Sequence, residues 1–136
     1  MTGDKKRILL TLSLLPETFA ICRLAANAEI PDWALRGEFV SITRTRDELS
    51  IVCAQSNVPD ETQCERDWRA LKVEGVMDLS LVGVLASLAT PLANAGVAIF
   101  AISTFDTDYL LVKSAQLEDA IAALRDAGHR VEYGSM

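Results

Sequence analysis

The stretch that decides the fold is EGVMDLSLVGVLASLATPLANAGVAIFAISTFDTDYLLV, residues 74–112. Four leucines near its start recur at steps of four, three and four residues, the spacing of an apolar stripe on a helix that lies on a sheet. Asp78 and Ser80 suit the N-terminal cap of this helix and Gly96 suits its end, while Pro91 predicts a kink or a local break. The leucines of the stripe are Leu81, Leu85, Leu88 and Leu92.

Strands are expected on both sides of this helix. The run 97–103 is rich in β-branched and aromatic residues and predicts a buried strand. A turn is expected at 104–107, followed by a paired strand at 109–113. Residues 68–75, before the helix, alternate well enough to predict a further strand.

The end of the chain completes the pattern. Ser114 is placed to cap a second helix, Gly128 suits the end of that helix, and residues 130–133 predict a last edge strand. The order of elements in this half is then β-α-β-β-α-β, which is typical of ferredoxin-like folds. The apolar stripe of the second helix consists of Leu117, Ile121 and Leu124.

The first half of the chain repeats this plan less cleanly. ITRTRDELSIV at 42–52 and ISTFDTDYLLV at 102–112 share one pattern at an offset of 60 residues. We therefore expect an α+β fold of tandem ferredoxin-like βαββαβ repeats, the first degenerate, with antiparallel sheets and helices packed on one face. The predicted units are residues 1–66 and 67–136. In the first unit, strands are expected at 8–14, 19–24, 39–45 and 49–54, with short helices at 31–35 and 60–66.

The composition limits the classes of function. The chain has 136 residues, half of them hydrophobic, and a formal net charge of −6. RNA-recognition modules share the ferredoxin-like fold, but an acidic chain gains no counterion release from phosphates, and Phe100 and Phe105 lack basic neighbours. We therefore expect no nucleic-acid partner. The longest late apolar stretch, 95–102, is too short to span a bilayer, so no membrane partner is expected either.

The reactive side chains do not form a pattern typical of catalysis. Cys22, Cys53 and Cys64 are odd in number and widely spaced, which favours reduced, partly buried thiols in a cytoplasmic protein over a disulfide framework. The single histidine, His129, follows a helix-ending glycine and is expected to be an exposed loop residue rather than a base. The sequence contains no metal-ligand spacing, P-loop or GxGxxG pattern. We therefore expect no catalytic residues, no metal and no cofactor.

The loop that begins at Gly75 has the chemistry that an amino-acid ligand needs. Gly75 lets the backbone turn without steric cost, and the helix start that follows offers free N–H groups to a carboxylate. Asp78, Asp106 and Asp108 can accept hydrogen bonds from an ammonium group. Each residue also has a structural explanation: Asp78 suits a helix cap, the two later acids suit a turn, and the glycine suits a bulge.

Residues 74–112 resemble the ACT domain, the regulatory module of aspartate kinases and of other enzymes of amino-acid metabolism. From about residue 8 to 133, the chain is similar to small stand-alone bacterial proteins with two ACT repeats. It is also similar to one half of the cytosolic arginine sensors of animal cells, which carry four. GEFVSITRTRDELSIVC (37–53) and ISTFDTDYLLV are the most specific parts. The resemblance implies side-by-side packing of ACT units into a larger sheet, often through a homodimer, with amino-acid binding at the unit interfaces.

The resemblance further implies that the loop after Gly75 and the strand 101–104 frame the ligand, and that Asp108 matches an acid used for ligand contact in the animal arginine sensors. The leading hypothesis is a non-catalytic, cytoplasmic module that senses a free amino acid at an ACT–ACT interface and forms a homodimer. The rival hypothesis is a ligand-free structural module that dimerises or docks on a partner enzyme. The predicted ligand-binding residues are Gly75, Val76, Met77, Asp78, Leu79, Ile102, Ser103, Thr104, Asp106 and Asp108.

Overall fold

The computed structural model describes residues 8–75 and 82–134. In this part of the chain, seven strands form one curled sheet and two α-helices pack on one of its faces. The α+β, ferredoxin-type fold expected from the sequence is therefore confirmed. The strands are β1 Thr11–Leu24, β2 Ser41–Arg44, β3 Leu49–Ala54, β4 Cys64–Val73, β5 Ile99–Ser103, β6 Asp108–Lys113 and β7 Arg130–Tyr133. The helices are α1 Val84–Asn94 and α2 Leu117–Asp126, with 3₁₀ turns at Asp32–Leu35, Gln55–Asn57 and Ser114–Gln116.

The long strand β1 connects the two ends of the sheet. Along the main path the strand order is β2-β3-β1-β4-β6-β5, and neighbouring strands are antiparallel. The first residues of β1, 11–14, also pair in parallel with β7. The last residues of β1, 19–24, pair with β3. The division into units 1–66 and 67–136 stays a prediction, and β1 contributes to the sheet on both sides of it.

The side chains of β1 alternate between the two faces of the sheet, and each face has its own core. Leu12 and Leu14 lie under α1 and α2, in a cluster with Leu88 and Leu124. Further along the same face, Ala20 and Cys22 lie under the first 3₁₀ turn. Phe19 points the other way. On that second face it packs with Val52, Trp68, Ala70 and Leu111.

The two similar peptides form equivalent hairpins, as their shared pattern suggests. β2 pairs with β3, and β5 pairs with β6. The amide of Thr45 donates to the carbonyl of Glu48, and that of Thr104 donates to the carbonyl of Thr107 in the same way. These turns lie 59 positions apart, so the predicted offset of 60 is wrong by one residue. Two runs of apolar and β-branched residues still look alike when they are aligned one residue out of step. Strand pairing is more exact, because a shift of one residue moves every side chain to the other face of the sheet.

Two predictions about elements in the first half are wrong. The strands expected at 8–14 and 19–24 are one strand, which passes exposed Pro16 through a register shift between Leu14 and Thr18. Proline is tolerated there because the shift removes the need for a ladder N–H. The helix expected at 60–66 does not form, since a turn precedes β4 and the strand has already begun at Cys64.

Helix α1 does not break at Pro91 but continues to Asn94. Its N-terminal cap is Gly83, at a φ of 89°, and the predicted caps Asp78 and Ser80 lie outside the described residues. Ser114 does not cap α2 directly, because it begins a 3₁₀ turn and α2 starts three residues later.

His129 is buried, with 5% of its surface exposed, so the prediction of an exposed loop residue is wrong. Its Nδ1 accepts a hydrogen bond from the amide of Leu10 at 3.1 Å. Nε2 therefore carries the proton, and it lies 3.0 Å from the carbonyl oxygen of Ser87. Ser87 stands four residues before Pro91, which has no N–H to offer that carbonyl. The histidine replaces the missing helix hydrogen bond and joins α1 to the start of β1.

Candidate ligand-binding site

The predicted site lies at one end of the sheet. Gly75, at a φ of 90°, lies two residues after the end of β4 at Val73. The β5–β6 turn lies at the same end, because Lys72 of β4 pairs with Tyr109 at the start of β6. The amide of Glu74 donates to the carbonyl of Thr11, which places the start of β1 there as well. The structure therefore brings Gly75 and the residues of the turn to one edge of the protein.

Thr107 fixes the β5–β6 turn against the end of β4. Its side chain is buried, and its hydroxyl donates to the carbonyl of Val73 at 2.6 Å. Within the turn, the Thr107 amide donates to the Thr104 hydroxyl at 3.2 Å, and that hydroxyl donates to the Thr107 carbonyl at 2.9 Å. Thr107 is not among the residues predicted from the sequence. The available signal was the pair of threonines three residues apart that flanks Phe105 and Asp106.

The described members of the predicted site differ in exposure. Ser103, Thr104 and Asp106 are exposed, whereas Ile102 and Asp108 are partly buried. Asp108 is the cross-strand partner of Ser103, so these two residues lie side by side at the mouth of the hairpin. Their side chains offer hydroxyl and carboxylate oxygens to a ligand. The remaining predicted residues, Val76, Met77, Asp78 and Leu79, lie outside the described residues.

The start of α1 is the second chemical feature of this end of the sheet. Gly83 makes no side-chain cap hydrogen bond, and its carbonyl accepts the amide of Ser87 at 2.9 Å. The first amides of an α-helix have no partner within the helix and carry partial positive charge. Ile8 lies close by, since its Cδ1 would be 3.4 Å from a Cβ built on Gly83. The helix start and the chain that leads into β1 are thus neighbours.

Large apolar side chains are exposed in the segments that meet at this end. They lie before β1, before and at the start of α1, and at the tip of the β5–β6 turn. Burial of such side chains on association is favourable, at roughly 25 cal/mol for each Å². We call this group the apolar rim. Its members are Leu9, 58% exposed, Val82, 85% exposed, Leu85, 38% exposed, and Phe105, 79% exposed.

A small cleft lies next to the site, on the face opposite the helices. It encloses about 180 Å³ and is lined by residues that include Lys72, Tyr109, Glu17 and Glu38. The rings of Tyr109 and Phe39 lie 4.5 Å apart at its base. Charges of both signs therefore lie within reach of the strand end that carries Gly75.

The residues that the structure describes contain neither a cluster suited to a metal ion nor a helix suited to a membrane. Within 8–75 and 82–134, no group of three or more histidine, cysteine or acidic side chains is placed to hold a metal ion. In the same ranges, no helix is long and apolar enough to cross a membrane.

Comparison with protein families gives two matches that together cover most of the chain. Residues 63–126 match the ACT domain. Residues 17–61 match the N-terminal domain of a second family. None of the curated protein sequences matches this chain.

Solved structures show the same architecture. Protein Atu0741 from Agobacterium tumefaciens is 40% identical, with a TM-score of 0.90, over 95% of this chain and 96% of that protein. VC0802 from Vibrio cholerae, a protein of unknown function, is 18% identical with a TM-score of 0.69, over 87% of this chain and 89% of its own. The ligand-free regulatory subunit of aspartate kinase from Thermus thermophilus is 14% identical with a TM-score of 0.60, over 89% of this chain and 99% of its own.

Proposed function

Because this chain belongs to one family with Atu0741 and contains an ACT domain over residues 63–126, we propose that it is a non-catalytic regulatory module that binds a free amino acid between two ACT units. Fold likeness to the regulatory subunit of aspartate kinase supports a regulatory role. The proposed binding site is the sheet end that carries Gly75 and the β5–β6 turn. We place the protein in the cytoplasm, the compartment in which cysteines are ordinarily free thiols, as all three are in this structure.

The observation that carries the proposal is the anchoring of the β5–β6 turn by Thr107. Through its bond to the Val73 carbonyl, the turn is held beside Gly75 before any ligand arrives. A preformed turn loses less conformational entropy on ligand binding than a mobile turn. Asp106 and Asp108 lie in and beside this turn and offer carboxylates to the ammonium group of a ligand. The amides that begin α1 offer hydrogen bonds to the carboxylate of the ligand.

The second ACT unit is proposed to come from another copy of this chain. The apolar rim lies in the segments that meet at the end of the sheet with the predicted site, and a partner of the same sequence would cover it with its own apolar rim in a two-fold arrangement. The ligand would then be enclosed where the two rims meet. Ligand binding and dimerisation would then be coupled, because the ligand contacts both copies and the dimer shields the ligand from solvent.

A ligand-free interaction module is the second candidate function. The apolar rim favours it, because burial of these side chains can hold a dimer or a partner enzyme without any small molecule. This candidate predicts association that is independent of amino acids. The first candidate predicts association or stability that one amino acid increases.

Thermal unfolding with each of the twenty amino acids separates the two candidates. A ligand that binds the native state at a hundred times its dissociation constant adds about 2.7 kcal/mol, which raises the melting temperature of a chain of this size by several degrees. We expect one amino acid, or one chemical group of them, to produce this rise at millimolar concentration. If none of the twenty amino acids changes the melting temperature, the amino-acid-sensing proposal is wrong and the ligand-free interaction module is the function that remains.

Replacing Asp108 by alanine should abolish the rise in melting temperature caused by the amino acid. The carboxylate is expected to pair with the ligand ammonium group, and loss of a charged hydrogen-bond partner removes roughly 2 kcal/mol of binding free energy or more. The control is Asp47→Ala, which removes an acid from the other hairpin, between β2 and β3. If Asp108→Ala keeps the full response, Asp108 is not part of the site.

Replacing Phe105 by glutamate should weaken self-association of the protein. The ring is 79% exposed at the tip of the β5–β6 turn, and a charge there would oppose its burial against a second copy. Sedimentation velocity at a series of concentrations measures the change. The control is Leu35→Glu, since Leu35 is 62% exposed on the first 3₁₀ turn, away from the apolar rim. Equal effects of the two substitutions would argue against the apolar rim as the dimer contact.

A further inference from the structure

Three cysteines that are far apart in sequence meet on one face of the sheet. Cys22 lies near the end of β1, Cys53 near the end of β3 and Cys64 at the start of β4. Cys22 and Cys53 belong to one buried cluster, and Cys64 packs against it. Cys22 and Cys64 are cross-strand partners, and the presence of Cys53 and burial raise the pKa of the Cys22 thiol. We propose that Cys22 and Cys64 are a disulfide-forming pair that low-molecular-weight disulfides oxidise.

The register of the strands singles out this pair. Cys22 and Cys64 are directly opposite each other across β1 and β4. The amide of Arg23 donates to the carbonyl of Gln63, the next pair along. Because hydrogen-bonded and non-hydrogen-bonded pairs alternate in an antiparallel ladder, Cys22 and Cys64 form a non-hydrogen-bonded pair. Such a pair has a Cα separation of roughly 4.5 Å, inside the range of about 4.4 to 6.8 Å that disulfides require.

Cys53 does not have this geometry with respect to Cys22. The residue opposite Cys22 on β3 is Ile51, while Cys53 stands opposite Ala20. Cys22 and Cys53 are therefore diagonal neighbours, with Cα atoms roughly 7 to 8 Å apart. At that distance a disulfide would require movement of the backbone. Cys53 lies in the same buried cluster as Cys22 but is not the partner in the bond.

The pair is accessible to a small oxidant. Cys64 is partly exposed, so a small disulfide can reach its sulfur, whereas Cys22 is buried beside it. Burial and the nearby Cys22 raise the pKa of the Cys64 thiol. Its thiolate therefore forms in alkaline solution, and the reaction should accelerate as the pH rises toward that raised pKa and level off above it. The presence of Cys53, together with burial, also raises the pKa of Cys22, which favours Cys64 as the first thiol to react.

The chemistry needs two exchange steps and one glutathione disulfide. The Cys64 thiolate attacks one sulfur of glutathione disulfide, and the S–S bond breaks to release one glutathione thiolate, which takes up a proton. Cys22 then loses its proton to solvent and attacks the Cys64 sulfur of the mixed disulfide. The Cys22–Cys64 bond forms and the second glutathione leaves. Two protein thiols are oxidised and one glutathione disulfide is reduced to two glutathione molecules.

Incubation of the full chain in glutathione buffers of increasing disulfide content tests the proposal. Intact mass should fall by about 2 Da, and peptide mapping should show a Cys22–Cys64 link. The bond closes a long loop between β1 and β4, so the melting temperature should rise by about 5 to 10 °C and return to its starting value with dithiothreitol. Cys53→Ala should retain the link and Cys64→Ala should lose it, with both variants folded by circular dichroism.

Three results would overturn the proposal: a lasting glutathione adduct on Cys64, a link that includes Cys53, or a bond between two chains. The disulfide lies at the opposite end of the sheet from Gly75. Its formation is therefore independent of amino-acid binding, and either property can fail without the other.

Discussion

Replacement of His129 by leucine is expected to lower the free energy of unfolding by about 3 kcal/mol. The substitution removes the acceptor of the Leu10 amide and the donor to the Ser87 carbonyl, and leaves both backbone groups unpaired beside a buried position. Each unsatisfied buried polar group costs about 1 to 3 kcal/mol. Leucine has a suitable volume, so loss of packing contributes little. Urea-induced unfolding followed by circular dichroism measures the change.

The reason for the loss can be tested at Pro91. In Pro91→Ala, the new amide can donate to the Ser87 carbonyl, as in an ordinary helix. The substitution should therefore stabilise His129→Leu more than it stabilises the original protein, by about 1 kcal/mol. Arg130→Leu is the matched control, because it introduces the same residue at the neighbouring exposed position. An equal effect of Pro91→Ala in both backgrounds would show that the histidine does not replace the missing helix hydrogen bond.

The pairing of His129 with Pro91 explains why the sequence was misleading on both residues. Proline inside a helix predicts a break, and a histidine after a helix-ending glycine predicts a solvated loop. Each prediction treats one residue alone. In the structure, His129 lies against the Ser87 carbonyl, 42 positions earlier, and this is the carbonyl that Pro91 leaves without a helix donor. Patterns with a short period carry no information about such a contact.

The second half of the chain was predictable because its elements are regular. The apolar stripe of α1 and the apolar runs of β5 and β6 have the periods of a helix and of strands, and the structure contains all three elements. Two details differ: Val84 rather than the exposed Leu85 is buried with Leu88 and Leu92, and β5, expected to be buried, is a partly exposed edge strand. Leu81 lies outside the described residues. The first half contains a strand with a register shift at Pro16 and short 3₁₀ turns. These features depend on pairing with neighbouring strands, so the sequence predicted two strands in place of β1 and a helix in place of the start of β4.

The sequence indicated that Gly75 and the acids of the β5–β6 turn meet at one end of the sheet, but not what holds them there. The carboxylates of Asp106 and Asp108 follow from the turn composition, and Gly75 follows from the need for a turn after β4. Thr107 was missed, because a threonine inside a turn gives no sign that its hydroxyl reaches the carbonyl of Val73 on another strand. The three cysteines were missed as a group for the same reason, since their meeting depends on strand register.

Asp67 decides that register, and Asp67→Val is expected to destabilise the protein by about 3 kcal/mol. Asp67 has a φ of 68°, in the left-handed region, which a β-branched side chain strongly disfavours. Its amide donates to Oε1 of Gln55 at 2.6 Å, and its carboxylate accepts from Nε2 of the same side chain at 3.1 Å. Valine would retain the strained backbone without the second of these bonds. Chemical unfolding measures the loss of stability.

Two variants at the same position separate the causes. Asp67→Gly tolerates the positive φ but loses the side-chain bond, and should cost no more than about 1 kcal/mol. Asp67→Asn tolerates the left-handed conformation and keeps an oxygen for Gln55, so its stability should lie within about 0.5 kcal/mol of the original. If Asp67→Gly costs as much as Asp67→Val, the backbone conformation is not the reason for the loss.

β4 contains a bulge at Asp67, and the same variants connect this bulge to the cysteine pair. Phe19 pairs with Trp68 and Ile21 pairs with Glu65, so β4 has one residue more than β1 in the interval that contains Asp67. An extra residue reverses the alternation of side chains along a strand, which is why Trp68 lies on one face and Cys64 faces Cys22 on the other. Asp67→Val should therefore lower the yield of the Cys22–Cys64 disulfide in glutathione buffer, while Asp67→Asn should preserve it. A full yield in Asp67→Val would mean that the strand keeps its bulge without a residue suited to the left-handed conformation.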